Sequence, residues 1–179
     1  MLNSQDCCLI VIDVQGKLAQ LMHNTESLFR NIQILIKAFK ILELPIIWTQ
    51  QVPEALGPTI ASIAELLKDI KPLNKASFSC CGRHDFVDAL QQNSRKQVIL
   101  CGIETHICIY QTALDLYRQH YTVQVVADAV SSRTLQNKNV AMQKMQSVGI
   151  EMTTTEMALF EIVKTADHPK FKQIAKLVK

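Results

Sequence analysis

The chain has 179 residues, a length that suits one compact fold, and we expect residues 1–179 to form a single domain. Apolar residues make up 48% of the chain and charged residues 20%, which excludes a disordered or fibrous protein. The formal net charge of +3 is small and the basic residues are scattered, so we expect no nucleic-acid partner.

The sequence contains no candidate membrane span. No apolar run approaches the roughly 18 residues that such a span needs, and only "MLNSQD" precedes the first strand-like segment. We therefore expect neither a membrane partner nor an export signal. Two adjacent cysteine pairs, Cys7–Cys8 and Cys80–Cys81, without any CxxC motif are typical of neither a disulfide framework nor a zinc site. A reducing cytoplasm is the predicted location.

The first half of the chain alternates apolar runs with helical patterns. "CCLIVIDV" has the continuous apolar pattern of a strand buried on both faces. In "TESLFRNIQILIKAFKILE" the apolar residues recur at helical spacing, and Asn24 or Thr25 could cap the helix. Next come a strand in "PIIWTQ", a loop in "QVPEALG", a helix from Ile60 to Leu67 and a short extended segment in "LNKASF".

The second half continues the alternation and ends in an amphipathic tail. Helices are predicted at 85–91, 107–119 and 157–163 and just before Gly149, with strands in "QVILC", "TVQVVAD" and "IEMTT". The tail "HPKFKQIAKLVK" predicts a terminal helix that docks on its own domain or on a neighbouring subunit. The whole pattern predicts an α/β fold, a three-layer α/β/α sandwich around a mostly parallel sheet of about five or six strands.

Reactive side chains in an open parallel sheet gather beyond the carboxyl ends of its strands. Asp13 ends the first strand, Lys75 lies in the third extended segment, and Cys108 follows the fourth strand at the predicted start of a helix. Backbone N–H groups and the helix dipole at such a position favour a thiolate. With Asp13 as proton acceptor and Lys75 as a stabilising charge, these residues would form machinery for acyl transfer.

Each of these residues also has a simpler structural interpretation. Free cysteine is among the most buried residue types, and we expect Cys7, Cys8 and Cys101, inside strands, to pack in the core. Asp13 alone could cap a turn, and Lys75 alone could be solvated. Only the combination of the three positions points to catalysis.

Three motifs in order resemble those of the isochorismatase-like cysteine hydrolases: "LIVIDVQ", "NKASFS" and "GIETHICIYQTALDL". The resemblance spans nearly the whole chain, includes "WTQQVPEALG" and "VVADAVSSR", and is strongest to the short, metal-free isochorismatase-domain proteins. It implies a catalytic triad of Asp13, Lys75 and Cys108, with Cys108 as the nucleophile. It also implies a cis peptide bond between Ile103 and Glu104, and an oxyanion hole made by the backbone N–H groups of Glu104 and Cys108.

Other side chains near the motifs have weaker functional interpretations. His106 precedes Cys108 by two residues, but the resemblance gives the base role to Asp13, and we expect His106 at the pocket rim or a subunit boundary. Trp48, Phe78 and Tyr110 are weak candidates for the lining of an apolar substrate pocket. Gln15 is a further weak candidate, and we expect it to orient its neighbours.

Two departures from related enzymes narrow the predicted chemistry. True isochorismatases of this family generally have glycine where this chain has Cys108, so amide or related carbonyl chemistry fits better than hydrolysis of a vinyl ether. Nicotinamidases carry an aspartate and histidines after the second strand that bind a metal, whereas this region reads "TQQVPEALGPT". We therefore predict no metal and no other cofactor.

The sequence favours a cysteine-dependent hydrolase that acts on a small molecule with an amide-like or other carbonyl C–N bond, through a covalent intermediate on Cys108. The resemblance also implies a homo-oligomer. Two alternatives stay open. One is a nicotinamidase-like or isochorismatase-like activity, and the other is a non-catalytic protein that keeps the fold as a binding partner.

Overall fold

A computed structural model describes all residues, 1–179, and shows one six-stranded sheet. The strands are β1 (Cys7–Ile12), β2 (Ile46–Gln51), β3 (Leu73–Lys75), β4 (Gln97–Ile103), β5 (Thr122–Ser131) and β6 (Glu151–Thr153). Their order across the sheet is β3-β2-β1-β4-β5-β6, and every neighbouring pair is parallel. The carboxyl ends of all strands therefore meet at one edge of the sheet.

Nine α-helices surround the sheet: α1 (Gly16–Gln20), α2 (Thr25–Ile41), α3 (Pro53–Leu56), α4 (Ala61–Ala64), α5 (His84–Asn93), α6 (Tyr110–Arg118), α7 (Leu135–Ser147), α8 (Thr155–Val163) and α9 (Phe171–Leu177). Short 3-10 turns occupy Glu65–Leu67 and Cys80–Gly82, and one π-helical turn occupies Thr105–Ile109. None of the helices combines the length and the apolar character needed to cross a lipid bilayer.

The core consists of two apolar clusters, one on each face of the sheet. Because side chains alternate along a strand, β1 contributes Cys7, Leu9 and Val11 to one cluster and Cys8, Ile10 and Ile12 to the other. The first cluster includes buried residues of α2, α8 and α9, and the second includes buried residues of α5, α6 and α7. The predicted three-layer α/β/α fold is therefore confirmed.

The C-terminal helix packs on the same chain. Ile174 is fully buried in the first cluster, and the ring of Phe171 meets that of Phe160 edge-on at 6.1 Å between centroids. Of the two docking positions predicted for this helix, the structure shows the intramolecular one.

Three sequence predictions differ in detail from the observed elements. The predicted loop "QVPEALG" contains the short helix α3, which begins at Pro53 because the fixed φ of proline suits the first helical position. The predicted helix from Ile107 to Gln119 is a π-helical turn followed by α6. Strand β5 runs on to Ser131, since a register shift between Leu100 and Gly102 lets β5 accommodate extra residues beside β4.

Gly102 allows β1 and β4 to approach each other closely near their carboxyl ends. It has a φ of +123°, and a Cβ built on it would lie 2.1 Å from the carbonyl oxygen of Ile12. Only glycine fits this backbone conformation and this space. The ends of the two strands that carry Asp13 and the Cys108 turn therefore lie against each other.

Candidate active site

The carboxyl edge of the sheet brings Asp13, Lys75 and Cys108 together. Asp13 follows β1 with a φ of +53°, Lys75 is the last residue of β3, and Cys108 lies in the π-helical turn after β4. Asp13 and Cys108 line the same cavity, and Nζ of Lys75 lies 2.6 Å from Oδ2 of Asp13. All three residues are buried.

Lys75 is held by four oxygen atoms. Its Nζ donates to Oδ2 of Asp13 and Oε1 of Gln51, both at 2.6 Å, and lies 3.1 Å from the carbonyl oxygens of Ser77 and Phe78. Burial is the largest single influence and disfavours the charged amine, but the Asp13 carboxylate, together with Cys80 and Cys108, outweighs it, and the pKa of Lys75 is raised. Lys75 is therefore a fixed positive charge within the site.

Each carboxylate oxygen of Asp13 has its own donor. Oδ2 accepts from Lys75, whereas Oδ1 accepts a 2.7 Å hydrogen bond from Oγ1 of Thr49. Thr49 lies on β2 beside the end of β1, and its carbonyl oxygen also accepts from the backbone N–H of Asp13 at 3.2 Å. The position and orientation of the carboxylate are fixed by these contacts.

The thiol of Cys108 does not have the low pKa expected from a helix N-terminus. Burial above all, and the Asp13 carboxylate after it, raise the pKa of Cys108 to about 12, although the Lys75 ammonium acts in the opposite direction. The predicted thiolate preference is wrong for this reason, and also because Cys108 lies within a π-helical turn rather than at an exposed helix end. At neutral pH Cys108 is therefore a protonated thiol.

The turn before Cys108 begins with a cis peptide bond between Ile103 and Glu104. The carbonyl oxygen of Glu104 accepts from the backbone N–H groups of Ile107 and Ile109, at 3.1 and 3.2 Å. The N–H of Glu104 itself has no acceptor within the chain. The side chain is anchored elsewhere, since Oε1 accepts a 2.9 Å hydrogen bond from Nε of Arg133.

The cavity has a volume of about 90 Å³ and is mostly apolar. Its lining consists of Asp13, Leu18, Gln51, Leu56, Phe78, Ile103, Glu104, Ile107 and Cys108. Phe78 is 53% exposed, so it stands at the boundary between the cavity and solvent. The reactive groups therefore lie at the bottom of a small pocket with an apolar wall.

Three of the four weak binding candidates lie away from the cavity, and only Phe78 lines it. Gln15 is fully buried and joins β2 to α3: its amide nitrogen donates to the carbonyl oxygens of Gln51 and Gly57, and its oxygen accepts from the N–H of Gln51. Trp48 packs in the first cluster and donates from Nε1 to the carbonyl oxygen of Ile70 at 2.9 Å. These two side chains support the structure around the site.

Tyr110 and His106 line a separate groove next to α7. Nδ1 of His106 lies 2.9 Å from Oγ of Ser132, and the ring of Tyr110 has Nζ of Lys144 5.1 Å from its centroid. Neither side chain lines the cavity of Cys108. The geometry gives His106 no role as a base for the thiol.

Sequence reasoning missed Thr49 and Gln51, which hold Asp13 and Lys75. Both lie at the carboxyl end of β2, so the same rule that selected Asp13 could have included them. Hydroxyl and amide side chains are common on strands, however, and nothing in the sequence shows which charged group they contact. No group of three or more His, Cys, Asp or Glu side chains is arranged to hold a metal ion.

Comparison with known proteins shows the family of the chain. The family described as "Isochorismatase domain" matches residues 7–157 of the chain. The chain belongs to the isochorismatase family. The isochorismatase domain-containing protein 2 of Danio rerio is 36% identical over 99% of this chain and 89% of its own length. The secreted isochorismatase effector Isc1 of Phytophthora sojae is 37% identical over 96% of this chain and 83% of its own length.

A solved structure described as the MAR1 ribonuclease from Caenorhabditis elegans has the same fold. It superposes with a TM-score of 0.93 and 36% sequence identity, over 99% of this chain and 91% of that one. The predicted membership of the isochorismatase-like family is thus confirmed. The chain has the isochorismatase-family hydrolase fold.

Proposed function

We propose that this isochorismatase-family chain is a cysteine hydrolase that cleaves an amide-like or other carbonyl C–N bond of a small molecule through a covalent intermediate on Cys108. One observation carries the proposal: Asp13, paired with buried Lys75, lines the same cavity as Cys108. A nucleophile and a proton acceptor thus line one small cavity, and a fixed positive charge lies against the proton acceptor. This is the combination that acyl transfer needs.

The first half of the reaction begins from the protonated thiol. The Asp13 carboxylate takes the thiol proton while the sulfur attacks the substrate carbonyl carbon, so that a C–S bond forms and negative charge moves to the carbonyl oxygen. The N–H of Glu104, which has no acceptor in the chain, supports an oxyanion hole that it would share with the N–H of Cys108. The intermediate then collapses, the C–N bond breaks, and Asp13 returns the proton to the leaving nitrogen.

The second half releases the acyl group. Asp13 is again a carboxylate and takes a proton from water, which attacks the thioester carbon. The C–S bond breaks and the sulfur recovers the proton from Asp13. Lys75 stays charged throughout, because its raised pKa keeps it protonated, and its Nζ holds Oδ2 of Asp13 by a 2.6 Å hydrogen bond. No cofactor is required by these steps.

The proposal is tested with a panel of small amides and esters, assayed for turnover and for mass added to Cys108. We expect Cys108→Ser to lose activity and Asp13→Asn to lose it by at least about a hundredfold, since proton transfer by a positioned group contributes that much. Cys101→Ser is the matched control, because Cys101 is a buried thiol outside the cavity. Full activity of Cys108→Ser would disprove the mechanism.

The same panel separates the alternatives. Turnover of isochorismate or nicotinamide would indicate those activities in spite of Cys108 and of the missing metal-binding residues. Absence of both turnover and adduct on every compound would favour a non-catalytic binding protein. Because the C. elegans relative is described as a ribonuclease, RNA belongs in the panel, but an anionic phosphodiester receives no support from a mostly apolar cavity that no lysine, arginine or histidine lines.

The predicted homo-oligomer stays part of this proposal. The exposed apolar side chains Leu135 and Val140 on α7 are the kind of surface that a second copy would bury. Light scattering on the purified chain measures the mass directly, and a monomer at micromolar concentration would contradict the prediction.

A further inference from the structure

We infer that the Cys108 cavity selects uncharged substrates with a small apolar substituent and rejects anions. Calling the ligand a substrate rests on the proposed function. The selection itself is a property of the cavity that can be measured without turnover. The inference depends on which charged side chains line the cavity and which do not.

The cavity offers an anion no free positive charge. Asp13 and Glu104 line the cavity, and no lysine, arginine or histidine does. A carboxylate or phosphate entering this mostly apolar volume would give up its hydration without gaining a cationic partner.

The two nearby cations are not available to a ligand. Nζ of Lys75 has three protons and already lies within 3.1 Å of four oxygen acceptors. Arg133 donates from Nε to Glu104 at 2.9 Å, is 53% exposed in its side chain, and does not line the cavity. Each cation therefore balances one of the two lining carboxylates and leaves no positive charge for an anionic substrate.

The remaining wall favours apolar groups. Leu18, Leu56, Phe78, Ile103 and Ile107 supply five of the nine lining side chains. A volume of about 90 Å³ holds a small group next to the thiol rather than a large ring system. The substrate class that matches this lining is a short, uncharged amide whose substituent is aliphatic or similarly small.

The test compares two alkylating reagents of nearly equal size that differ in charge. Iodoacetamide is neutral and iodoacetate is anionic, and the same thiolate attacks both and displaces iodide, so the ratio of their rates does not depend on the pKa of Cys108. Rates are measured at pH 9 on the intact protein, by mass spectrometry of the peptide that contains Cys108. 2-Mercaptoethanol, an uncharged thiol, gives the reference ratio.

We expect the neutral reagent to be favoured at Cys108 by at least about tenfold over the reference ratio, because the anion would lose its hydration in a mostly apolar cavity that no free cation lines. The variant Phe78→Lys places a cation at the solvent boundary of the cavity and should move the ratio towards iodoacetate by about threefold or more. Phe78→Gln is the matched neutral variant and should leave the ratio unchanged. The exposure of Phe78 makes both substitutions compatible with the fold.

A Cys108 ratio equal to the reference ratio would overturn the inference, and so would labelling by neither reagent. Failure of the proposed function appears differently, as absence of hydrolysis in the panel while the ratio stays selective for the neutral reagent. Preferential hydrolysis of an anionic member of a matched amide pair would overturn the charge selection and leave the cysteine mechanism standing.

Discussion

Nζ of Lys75 and Oδ2 of Asp13 lie 2.6 Å apart, although 62 positions separate the two residues in the chain. The two side chains are 1% and 5% exposed, respectively, so the ion pair is shielded from water. Breaking such a pair by removing one partner leaves an uncompensated charge in the interior, which costs far more than the loss of a surface ion pair. The stability of the fold and the chemistry of the site therefore depend on the same contact.

Replacing Lys75 by methionine should lower the free energy of unfolding by about 3 to 5 kcal/mol, because Asp13 would be left buried without its cation. Urea unfolding monitored by circular dichroism measures the change. The double variant Asp13→Asn, Lys75→Met is the control and should recover part of the loss, since no charge is then unpaired. A loss of stability in the double variant that equals the sum of the losses in Lys75→Met and Asp13→Asn would contradict the prediction.

Replacing Asp13 by asparagine should change the two properties of Cys108 in opposite directions. Hydrolysis is lost with the proton acceptor, whereas the pKa of the thiol falls from about 12, because the carboxylate that raises it is gone and the Lys75 charge remains. We expect iodoacetamide to label Cys108 about tenfold faster at pH 7.5, since one pKa unit is a tenfold change in thiolate. Asp6→Asn, at an exposed carboxyl, is the control. Slower labelling of Asp13→Asn would refute this account.

The stability of the protein should decrease in alkaline solution. Burial raises the pKa of Cys7 to about 11 and those of Cys8, Cys80 and Cys108 to about 12, from an ordinary value of 9.0. Between pH 9 and the folded-state values the unfolded chain loses these protons while the folded chain keeps them, so the free energy of unfolding falls as pH rises. Each thiol contributes a slope of up to about 1.4 kcal/mol per pH unit.

Urea titrations at pH 8, 9 and 10 in the presence of a reductant test the alkaline decrease. The variant Cys8→Ala should start from a lower stability, because it leaves a cavity in the core, but its stability should fall less steeply over this range. A free energy of unfolding that stays constant from pH 8 to pH 10 would be incompatible with buried, protonated thiols.

Gly102→Ala should prevent or severely impair folding, since the added Cβ would meet the carbonyl oxygen of Ile12 at 2.1 Å. Gly57→Ala is a matched control, because Gly57 also has a positive φ, of +80°, but the nearest heavy atom to its Cβ would be 3.8 Å away. We expect the control to lose only the cost of the backbone strain, about 1 to 3 kcal/mol. Equal thermal shifts in the two variants would show that the contact with β1 does not matter.

Much of the fold could be predicted from the sequence because the four longer strands, β1, β2, β4 and β5, contain apolar runs separated by helical patterns. The strand-end rule selected Asp13, Lys75 and Cys108, and the structure places these residues together. The extension of β5 to Ser131 could not be predicted, since a register shift depends on the neighbouring strand and leaves no local pattern.

The electrostatic state of the site was the least predictable feature. A helix start after a strand predicts a thiolate, but the balance depends on burial and on the distance to Asp13, neither of which is visible in the order of residues. The position of Trp48, by contrast, was predictable from the sequence. Strand alternation already places it on the face of β2 opposite to Ile47, and the structure shows it in the first cluster.

The reacting groups and several residues of the cavity wall lie on different elements, and this separation affects how the protein could acquire new substrates. The chemical groups lie at or just beyond the ends of strands, whereas Leu18 and Leu56 belong to the short helices α1 and α3, and Phe78 to the segment after β3. A mutational library confined to these three positions would reshape selectivity while the reacting atoms and their anchors stay in place. Evolution, in the laboratory or in nature, can therefore diversify what this scaffold accepts without rebuilding how it reacts.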